Sequence, residues 1–448
     1  MWWFAPEAVA DDVRPEFSAG SYGRVQASTD LAGGGDAVNV AAHAPRLEKG
    51  PYLELDLMWH AKLDDDATVD VVITPAVTGD LFHYDGDFGN DLGIRNLYAA
   101  MGRPGKVPLS VWAGSRMYRG DDVYLLDYWP LDNLNTYGGG VIASPGTSEV
   151  ALQVGVNRLR GDDWQLQEVR VATPESVSGE QVLVLDRQRT IGSLRASHRF
   201  ELSNGITLRA KLYGELHALP AGDRIIVDPF QDLATETLPA DRGSLVGLQL
   251  SAWGWAPQSF VHLWVKRSTG LASTGELTIP LTGLDLDLRV AGARTWHVAL
   301  GGNQESEHVG VMAAAYVEYR TDADGVVEDI DDRWEAVVVA RPTFYLDRHV
   351  AIAVEASHQW VRPNGLNPRT DAWDRPSVTK LSVLPGLQVG KGSYARPRVQ
   401  LQYTATLLDD DARSFFNPYD ARLQDGVQHF VGLGAEWWIN SQRVITPL

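Results

Sequence analysis

Strict alternation of apolar and polar residues, repeated along the chain, is the feature that most constrains its fold. The pattern holds over about 8 to 11 residues at a time, the length of a tilted β-strand that crosses a bilayer. Soluble strands average about five or six residues. Clear examples are residues 52–61, 206–213, 284–290 and 398–407. The sequence therefore predicts an all-β protein that forms a transmembrane antiparallel β-barrel with a water-filled interior.

The predicted connections between strands are of two kinds. Tight turns are expected at residues 64–66, 322–325, 346–348 and 385–386. Longer connections rich in Gly, Asp, Asn and Pro are expected at residues 79–91, 129–140, 218–243 and 362–377. Short turns on one rim and long loops on the other are typical of outer-membrane barrels.

Composition excludes several classes of function. A formal net charge of −19 argues against nucleic-acid binding, which requires concentrated Lys and Arg. The chain has no Cys, which excludes disulfides and thiolate chemistry, and its 11 His lack the spacing of metal ligands. It also lacks a G-x-S-x-G motif and a phosphate-binding glycine loop. We therefore expect no enzyme activity, no cofactor and no metal.

The two ends of the chain are expected to lie outside the barrel. In residues 1–15, Ala8-Val9-Ala10 before Asp11-Asp12 resembles a signal-peptide cleavage site, although coincidence explains it equally well. We interpret this segment as a signal-peptide remnant or a disordered N-terminus. The predicted barrel covers residues 16–439, and residues 440–448 form a C-terminal extension.

Residues 112–129 combine aromatic rings, arginines and aspartates more densely than any other part of the chain. The first half has the pattern of a strand, whereas the second half is too polar and aromatic for a plain hairpin turn. Rings stack on the apolar faces of a sugar, and charged groups bond to its hydroxyls. The segment is therefore either part of a sugar-binding site or an ordinary strand–loop–strand with interfacial aromatics.

Four landmarks resemble the maltoporin family of sugar-selective outer-membrane porins. They are residues 20–24, residues 46–47 with 52–55, residues 112–127, and residues 393–397 with 434–438. The resemblance implies an 18-stranded barrel with an inward-folded third loop that constricts the pore, assembled as a homotrimer in the outer membrane of a Gram-negative bacterium. The implied partners are a carbohydrate solute, outer-membrane lipid and lipopolysaccharide, and no nucleic acid.

The resemblance also implies which residues contact the solute. Tyr22, Tyr52 and Trp438 match an aromatic slide, on which many weak stacking contacts select a sugar and still release it. Phe88 or Tyr84 replaces a tryptophan that a neighbouring subunit contributes. Positions that match the ionic tracks and the constriction are Arg24, Arg46, Glu54, Arg95, Arg116, Arg119, Asp122 and Asp127. Alternation independently places Tyr52 and Glu54 on the polar face of their strand.

The chain departs from the family pattern at the constriction. The family's arginine aligns with Gly120, one position after Arg119, and Asp121-Asp122 replaces a histidine–aspartate pair. Two mid-chain slide aromatics have no clear counterpart, and Trp255 and Tyr345 are the nearest candidates. These departures affect the predicted solute more than the predicted fold.

Simpler interpretations of the same residues stay open. The slide aromatics can instead belong to the girdle at the membrane interface, and of Trp437 and Trp438 only one can face the lumen. The track charges can solvate a wet lumen, and the loop charges can be internal salt bridges. For the whole protein, the alternatives are a non-selective porin and a secreted glycoside-active enzyme, with Glu54 and Asp127 as its carboxylate pair.

Overall fold

The alternating segments form long β-strands in the computed structural model. Eighteen strands make one sheet, in which each pairs antiparallel with the next and the first also pairs with the last, so the sheet closes into a barrel. The predicted 18-stranded antiparallel barrel is therefore confirmed. The structure describes residues 14–31, 38–63, 66–78, 91–104, 107–157, 169–170, 182–184, 187–227, 233–273, 278–280, 285–326, 328–367, 369–415 and 425–439.

The described residues form 23 strands, and those of the barrel follow one another around it in chain order. They are β1 (Arg14–Thr29), β2 (Tyr52–Lys62), β3 (Thr68–Thr78), β4 (Asp91–Gly102), β5 (Leu109–Arg119), β6 (Asn133–Ala143), β7 (Ser148–Asn157), β8 (Val169–Arg170), β9 (Val182–Val184), β10 (Arg189–Glu201), β11 (Thr207–Leu219), β12 (Gly222–Val227), β13 (Leu233–Leu238), β14 (Asp241–Trp253), β15 (Phe260–Gly270), β16 (Thr278–Pro280), β17 (Arg294–Glu305), β18 (Val309–Thr321), β19 (Asp329–Tyr345), β20 (Val350–Asn364), β21 (Ser377–Gln388), β22 (Arg398–Leu408) and β23 (Val427–Ile439). The barrel contains all of them except β8, β9, β12, β13 and β16, which form two small sheets.

Helical structure is scarce in the part of the chain that the structure describes. It comprises α1 (Asp410–Ser414) and the 3-10 turns Arg46–Glu48, Tyr124–Leu126 and Leu271–Ser273. None of the described helices has the length and apolar character needed to cross a membrane.

Burial along the strands is inverted relative to a soluble protein. On β11, Leu208, Leu212 and Leu216 are exposed, whereas Lys211 and Glu215 on the other face are buried. The strand β22 repeats this arrangement. Because successive side chains point to opposite faces of a sheet, the barrel has an apolar outer face and a polar inner face. This inversion suits a barrel that is surrounded by lipid and encloses water.

The connections differ between the two ends of the barrel. One end has short turns, such as residues 144–147 and 306–308, and the other has long connections, such as residues 30–51 and 220–240. The predicted tight turn at residues 322–325 lies on the end with the long connections. Most of the expected N-terminal segment (residues 1–13) and all of the expected C-terminal extension (residues 440–448) lie outside the described residues. The same is true of residues 79–90, which make up most of one predicted long connection.

The strand predicted at residues 284–290 is wrong. The described part of this range is a turn, in which an Asp285 side-chain oxygen accepts hydrogen bonds from the backbone N–H groups of Asp287 and Arg289 (both 2.9 Å). An aspartate that bonds the backbone two residues ahead favours a turn over a strand. Alternation therefore misled here because its polar positions are turn-forming aspartates.

Two predicted connections lie wholly or partly within strands. Pro385 and Gly386 lie inside β21, where the pairing with β22 is interrupted between Val383 and Gly386, so the missing proline N–H is tolerated. The long connection predicted for residues 129–140 ends at residue 132, because Gly138, Gly139 and Gly140 belong to β6.

Candidate solute-binding site

The first part of the site is built from alternate residues of β1, β2 and β4. The register pairs Tyr22 with Glu54 and Arg24 with Tyr52. The ring centroids of Tyr22 and Tyr52 are 5.8 Å apart. Arg95 of β4 hydrogen-bonds to the Tyr52 hydroxyl and pairs with Glu54. Two neighbouring rings therefore lie beside one carboxylate and two guanidinium groups.

The connection between β1 and β2 brings Arg46 to these rings. Arg46 donates a hydrogen bond to the Tyr22 hydroxyl (2.7 Å) and forms an ion pair with Glu436 of β23 (2.6 Å). Its guanidinium carbon lies 4.1 Å from the centroid of the Tyr124 ring. Arg46 is buried, and a buried guanidinium requires such partners to offset its lost hydration. Arg46 thus joins the wall of the barrel to the connection between β5 and β6.

Asp127 lies in the connection between β5 and β6, residues 120–132, and accepts hydrogen bonds from two positively charged side chains. Its Oδ2 is 3.1 Å from a nitrogen of Arg24 and 3.0 Å from Nζ of Lys49. Burial raises the pKa of Asp127, but attraction to Arg46, Lys49 and Arg24 outweighs burial and lowers the pKa to about 2. Asp127 therefore stays ionised and holds residues 120–132 against β1.

Glu436 is the centre of a second group of charges. Besides Arg46, it pairs with Arg396 (2.7 Å) and accepts a hydrogen bond from the Tyr124 hydroxyl (2.9 Å). The Arg396 guanidinium carbon lies 4.5 Å from the centroid of the Trp438 ring. One carboxylate thus links two arginines and a tyrosine beside an aromatic face.

The orientation of the two adjacent tryptophans follows from their contacts. Trp438 packs against Tyr124 and Tyr394, with ring centroids 6.0 Å and 6.3 Å away. Trp437 lies on the opposite face of β23, where its Nε1 donates to Ser21 (3.0 Å) and its ring covers Gly23. Trp438 is therefore the one on the inner face.

The other end of residues 120–132 binds a different part of the barrel. Asp121 pairs with Arg209 and with Lys211 (3.0 Å) of β11, and it accepts a hydrogen bond from Gln249 of β14 (2.7 Å). Burial raises the pKa of Asp121, but Lys211 and Arg209 outweigh burial and hold that pKa well below its ordinary value. Asp121 therefore carries a charge that the barrel neutralises.

Apolar contacts complete this attachment. Leu125, Leu126 and Leu131 belong to one buried cluster with Tyr213 and Trp264 of the barrel. Leu131 lies so close to Gly247 of β14 that a Cβ at this position would overlap its side chain. The absence of a side chain at Gly247 therefore allows residues 120–132 to pack closely on β14.

Residues 38–49 and 120–132 also contact each other. The His43 ring is stacked on Tyr128 with a centroid distance of 4.0 Å, and the Tyr128 hydroxyl is 3.1 Å from His297 of β17. His297 is in turn 2.9 Å from Glu318. Burial lowers the pKa of His43 to about 3, so its ring is neutral at physiological pH. The two connections therefore form one packed layer.

The remaining predicted residues lie around this layer. Arg119 is stacked on Trp129, with its guanidinium carbon 3.9 Å from the ring centroid. Arg116 is buried, with its guanidinium carbon 4.9 Å from the centroid of the Tyr98 ring and 5.5 Å from that of the Trp112 ring. Burial, together with repulsion from Asp127 and Asp121, outweighs attraction to Arg46 and raises the pKa of Asp122 to about 6.

The structure gives a role to residues that the sequence placed only within longer segments. Tyr124, Arg396 and Glu436 are central to the site. They lie within the segments 112–127, 393–397 and 434–438 that carry the family resemblance, but none of them was assigned to the aromatic slide or to the ionic tracks. Trp255 lies in a turn and donates to Gln304 (2.7 Å), and Tyr345 donates to Glu305 (2.6 Å). Neither makes a ring contact with another described residue. Phe88 and Tyr84 lie outside the described residues.

Comparison with known proteins identifies the family. A model of the LamB porin family matches residues 17–438, nearly the whole chain. The chain belongs to the LamB porin family. This porin is an integral outer-membrane channel and not an enzyme, as predicted.

Several solved structures are similar to this porin at low identity. OccD3 (OpdP) of Pseudomonas aeruginosa is 10% identical, with a TM-score of 0.43 over 96% of this chain and 92% of that one. OpdK of the same organism, solved with vanillate, is 12% identical, with a TM-score of 0.41 over 96% and 99%. OmpT of Vibrio cholerae in its trimer form is 9% identical, with a TM-score of 0.41 over 96% and 100%.

Proposed function

We propose that this porin conducts carbohydrates of the maltose and maltodextrin type by facilitated diffusion. The observation that carries the proposal is a row of rings on the inner face. Tyr52 and Tyr22 are 5.8 Å apart, Tyr22 is paired in register with Trp438, and Trp438, Tyr394 and Phe260 follow at 6.3 Å and 5.9 Å. A sugar ring has apolar faces that stack on such surfaces.

The charges beside the rings supply the second part of the mechanism. Arg24, Arg46, Glu54 and Arg95 are already paired with each other, with tyrosine hydroxyls or with other charged groups of the site. A sugar hydroxyl can replace one of these partners, and the displaced group keeps its remaining partners. Each exchange therefore costs little, and many such weak contacts allow the solute to bind and to move on.

In this proposal, residues 120–132 fold into the lumen and narrow it. Their contacts support this placement, because Asp121 binds β11 and β14 whereas Asp127 binds β1. Arg119, Asp122 and Asp127 then border the constriction. The porin acts as a homotrimer, as its family resemblance implies.

Conductance in planar bilayers tests the function. Maltotriose is expected to block the ion current in a concentration-dependent way, whereas a polyethylene glycol of similar size, which lacks the sugar's hydroxyl pattern, is expected to block much less. Equal block by both solutes would leave only a non-selective porin.

A further inference from the structure

Three buried arginines lie close together on the inner side of the barrel near β19, β22 and β23. Arg341 and Arg396 have their guanidinium carbons 6.0 Å and 5.8 Å from the Tyr124 ring centroid. Arg398, the first residue of β22, repels both of them electrostatically and is attracted by Glu436. Their exposed fractions are only 4%, 8% and 3% for Arg341, Arg396 and Arg398. The like charges therefore face one another with little screening by water.

Two of the three arginines have a carboxylate partner. Arg341 pairs with Glu355 (2.7 Å), and Arg396 pairs with Glu436 (2.7 Å). Arg46 uses the other oxygen of Glu436, so both oxygens of that carboxylate already accept from a guanidinium. The nearby Glu305 accepts from Tyr345, from Asn303 and from the Ser393 backbone.

Arg398 differs from its neighbours because two of its donors are unused. Its Nε and Nη2 are both buried and donate no hydrogen bond to any described residue. These two atoms form one edge of the guanidinium, the edge that binds two oxygens of a carboxylate or phosphate in parallel. Buried donors without a partner are costly, and a bound anion would satisfy both of them at once.

We propose that the free edge of Arg398, supported by Arg341 and Arg396, is an anion site that binds the carboxylate or phosphate group of an acidic saccharide. The inference rests on the proposed sugar pathway and extends it. Arg396 lies both in this cluster and 4.5 Å from the Trp438 ring. A sugar stacked on Trp438 thus lies beside the cluster that contains Arg398, and in this proposal the pore accepts charged as well as neutral sugars.

Block of the ion current by three probes tests the site in the full-length porin. Glucuronate carries the carboxylate, glucose is its neutral counterpart, and inorganic phosphate separates a general anion site from one that requires a sugar. Because a charge-assisted hydrogen bond is stronger than a neutral one, glucuronate is expected to block at about tenfold lower concentration than glucose. Phosphate alone, without a ring to stack, is expected to block weakly.

Substitution of Arg398 assigns the effect to the site. Arg398→Gln is expected to raise the half-blocking concentration of glucuronate to that of glucose and to leave glucose unchanged. Arg195→Gln is the matched control, because Arg195 is an inner-face arginine paired with Asp132 and Glu149. Arg195→Gln removes one positive charge, as Arg398→Gln does, and is expected to preserve the preference for glucuronate over glucose.

Each result separates this inference from the sugar pathway. Equal block by glucuronate and glucose in the wild type, or an equal loss in both variants, would overturn the anion site and leave the neutral-sugar channel intact. Block by glucuronate without block by glucose or maltotriose would overturn the neutral-sugar channel and leave the anion site. Phosphate block as strong as that of glucuronate would overturn the requirement for a saccharide.

Thermal unfolding in detergent provides a readout that does not depend on conductance. A ligand that binds only the folded state raises the unfolding temperature. Glucuronate is expected to raise it for the wild type, but not for Arg398→Lys, which keeps the charge and lacks the two-donor edge. An equal rise in the wild type and Arg398→Lys would overturn the role of that edge, even if Arg398→Gln fails to fold.

Discussion

Residues 120–132 contact two parts of the barrel in different ways. Against β11, β14 and β15, which we call the anchoring wall, Trp264 is fully buried and Asp121 is neutralised by Arg209 and Lys211. Against β1, β2 and β23, which we call the stacking wall, the aromatic rings stay partly exposed. Both walls use rings and ion pairs, but Tyr213 and Trp264 of the anchoring wall are buried, whereas Tyr22, Tyr52 and Trp438 of the stacking wall are partly exposed.

The difference shows how the same residue types serve two purposes. On the anchoring wall, complete burial converts aromatic and apolar area into stability, at about 25 cal/mol for each Å² removed from water. On the stacking wall, partial exposure leaves ring faces and hydrogen-bonding groups for a solute. Substitutions that change one wall at a time test this division.

The largest effect is expected on the anchoring wall. Replacing Trp264 by Ala leaves a cavity beneath residues 120–132, at a cost of about 3–5 kcal/mol. We expect a lower unfolding temperature and a higher, noisier open conductance in planar bilayers. Trp296→Ala is the control, because Trp296 is exposed on the outer face and its removal leaves no internal cavity. Equal conductance in the two variants would contradict the anchoring role.

A smaller effect, of a different kind, is expected on the stacking wall. Tyr52→Ala removes one ring of the row, and ring stacking contributes about 1 kcal/mol. Maltotriose block is therefore expected to weaken several-fold, while open conductance and unfolding temperature change little.

The control for Tyr52 is Tyr403→Ala on the outer face, where the ring is exposed. This variant is expected to leave sugar block unchanged. If Tyr52→Ala instead altered conductance more than sugar block, Tyr52 would belong to the structural framework and the distinction between the walls would fail.

The smallest effect is expected from pH. Since the pKa of Asp122 is raised to about 6, its carboxyl group is charged above pH 6 and neutral below it. The loss of this negative charge is expected to reduce the ratio of cation to anion permeability roughly twofold between pH 7.5 and 5. Reversal potentials in a salt gradient measure the ratio.

Two variants check this assignment. Asp122→Asn is expected to show the low permeability ratio at both pH values. Asp121→Asn is expected to keep the pH dependence, because the pKa of Asp121 lies well below this range. A wild-type slope that persists in Asp122→Asn would assign the titration to another group.

The sequence predicted the barrel wherever alternation coincided with strand-forming residues. The pattern at residues 206–213 became β11, with leucines outside and charges inside. The same pattern at residues 284–290 did not become a strand, because Asp285 bonds its own backbone. Period alone does not distinguish these cases; the local hydrogen-bonding capacity of the polar residues does.

The sequence by itself determined the closed barrel class, the polar face that carries Tyr52 and Glu54, and the family. Tertiary structure decided that Trp438 and not Trp437 faces inward, that Tyr124 and Arg396 meet at Glu436, and that the Arg398 edge has no partner among the described residues. The side-chain period of a strand is local and can be read directly. Contacts between residues hundreds of positions apart depend on closure of the barrel and on the packing of its connections, which no local pattern encodes.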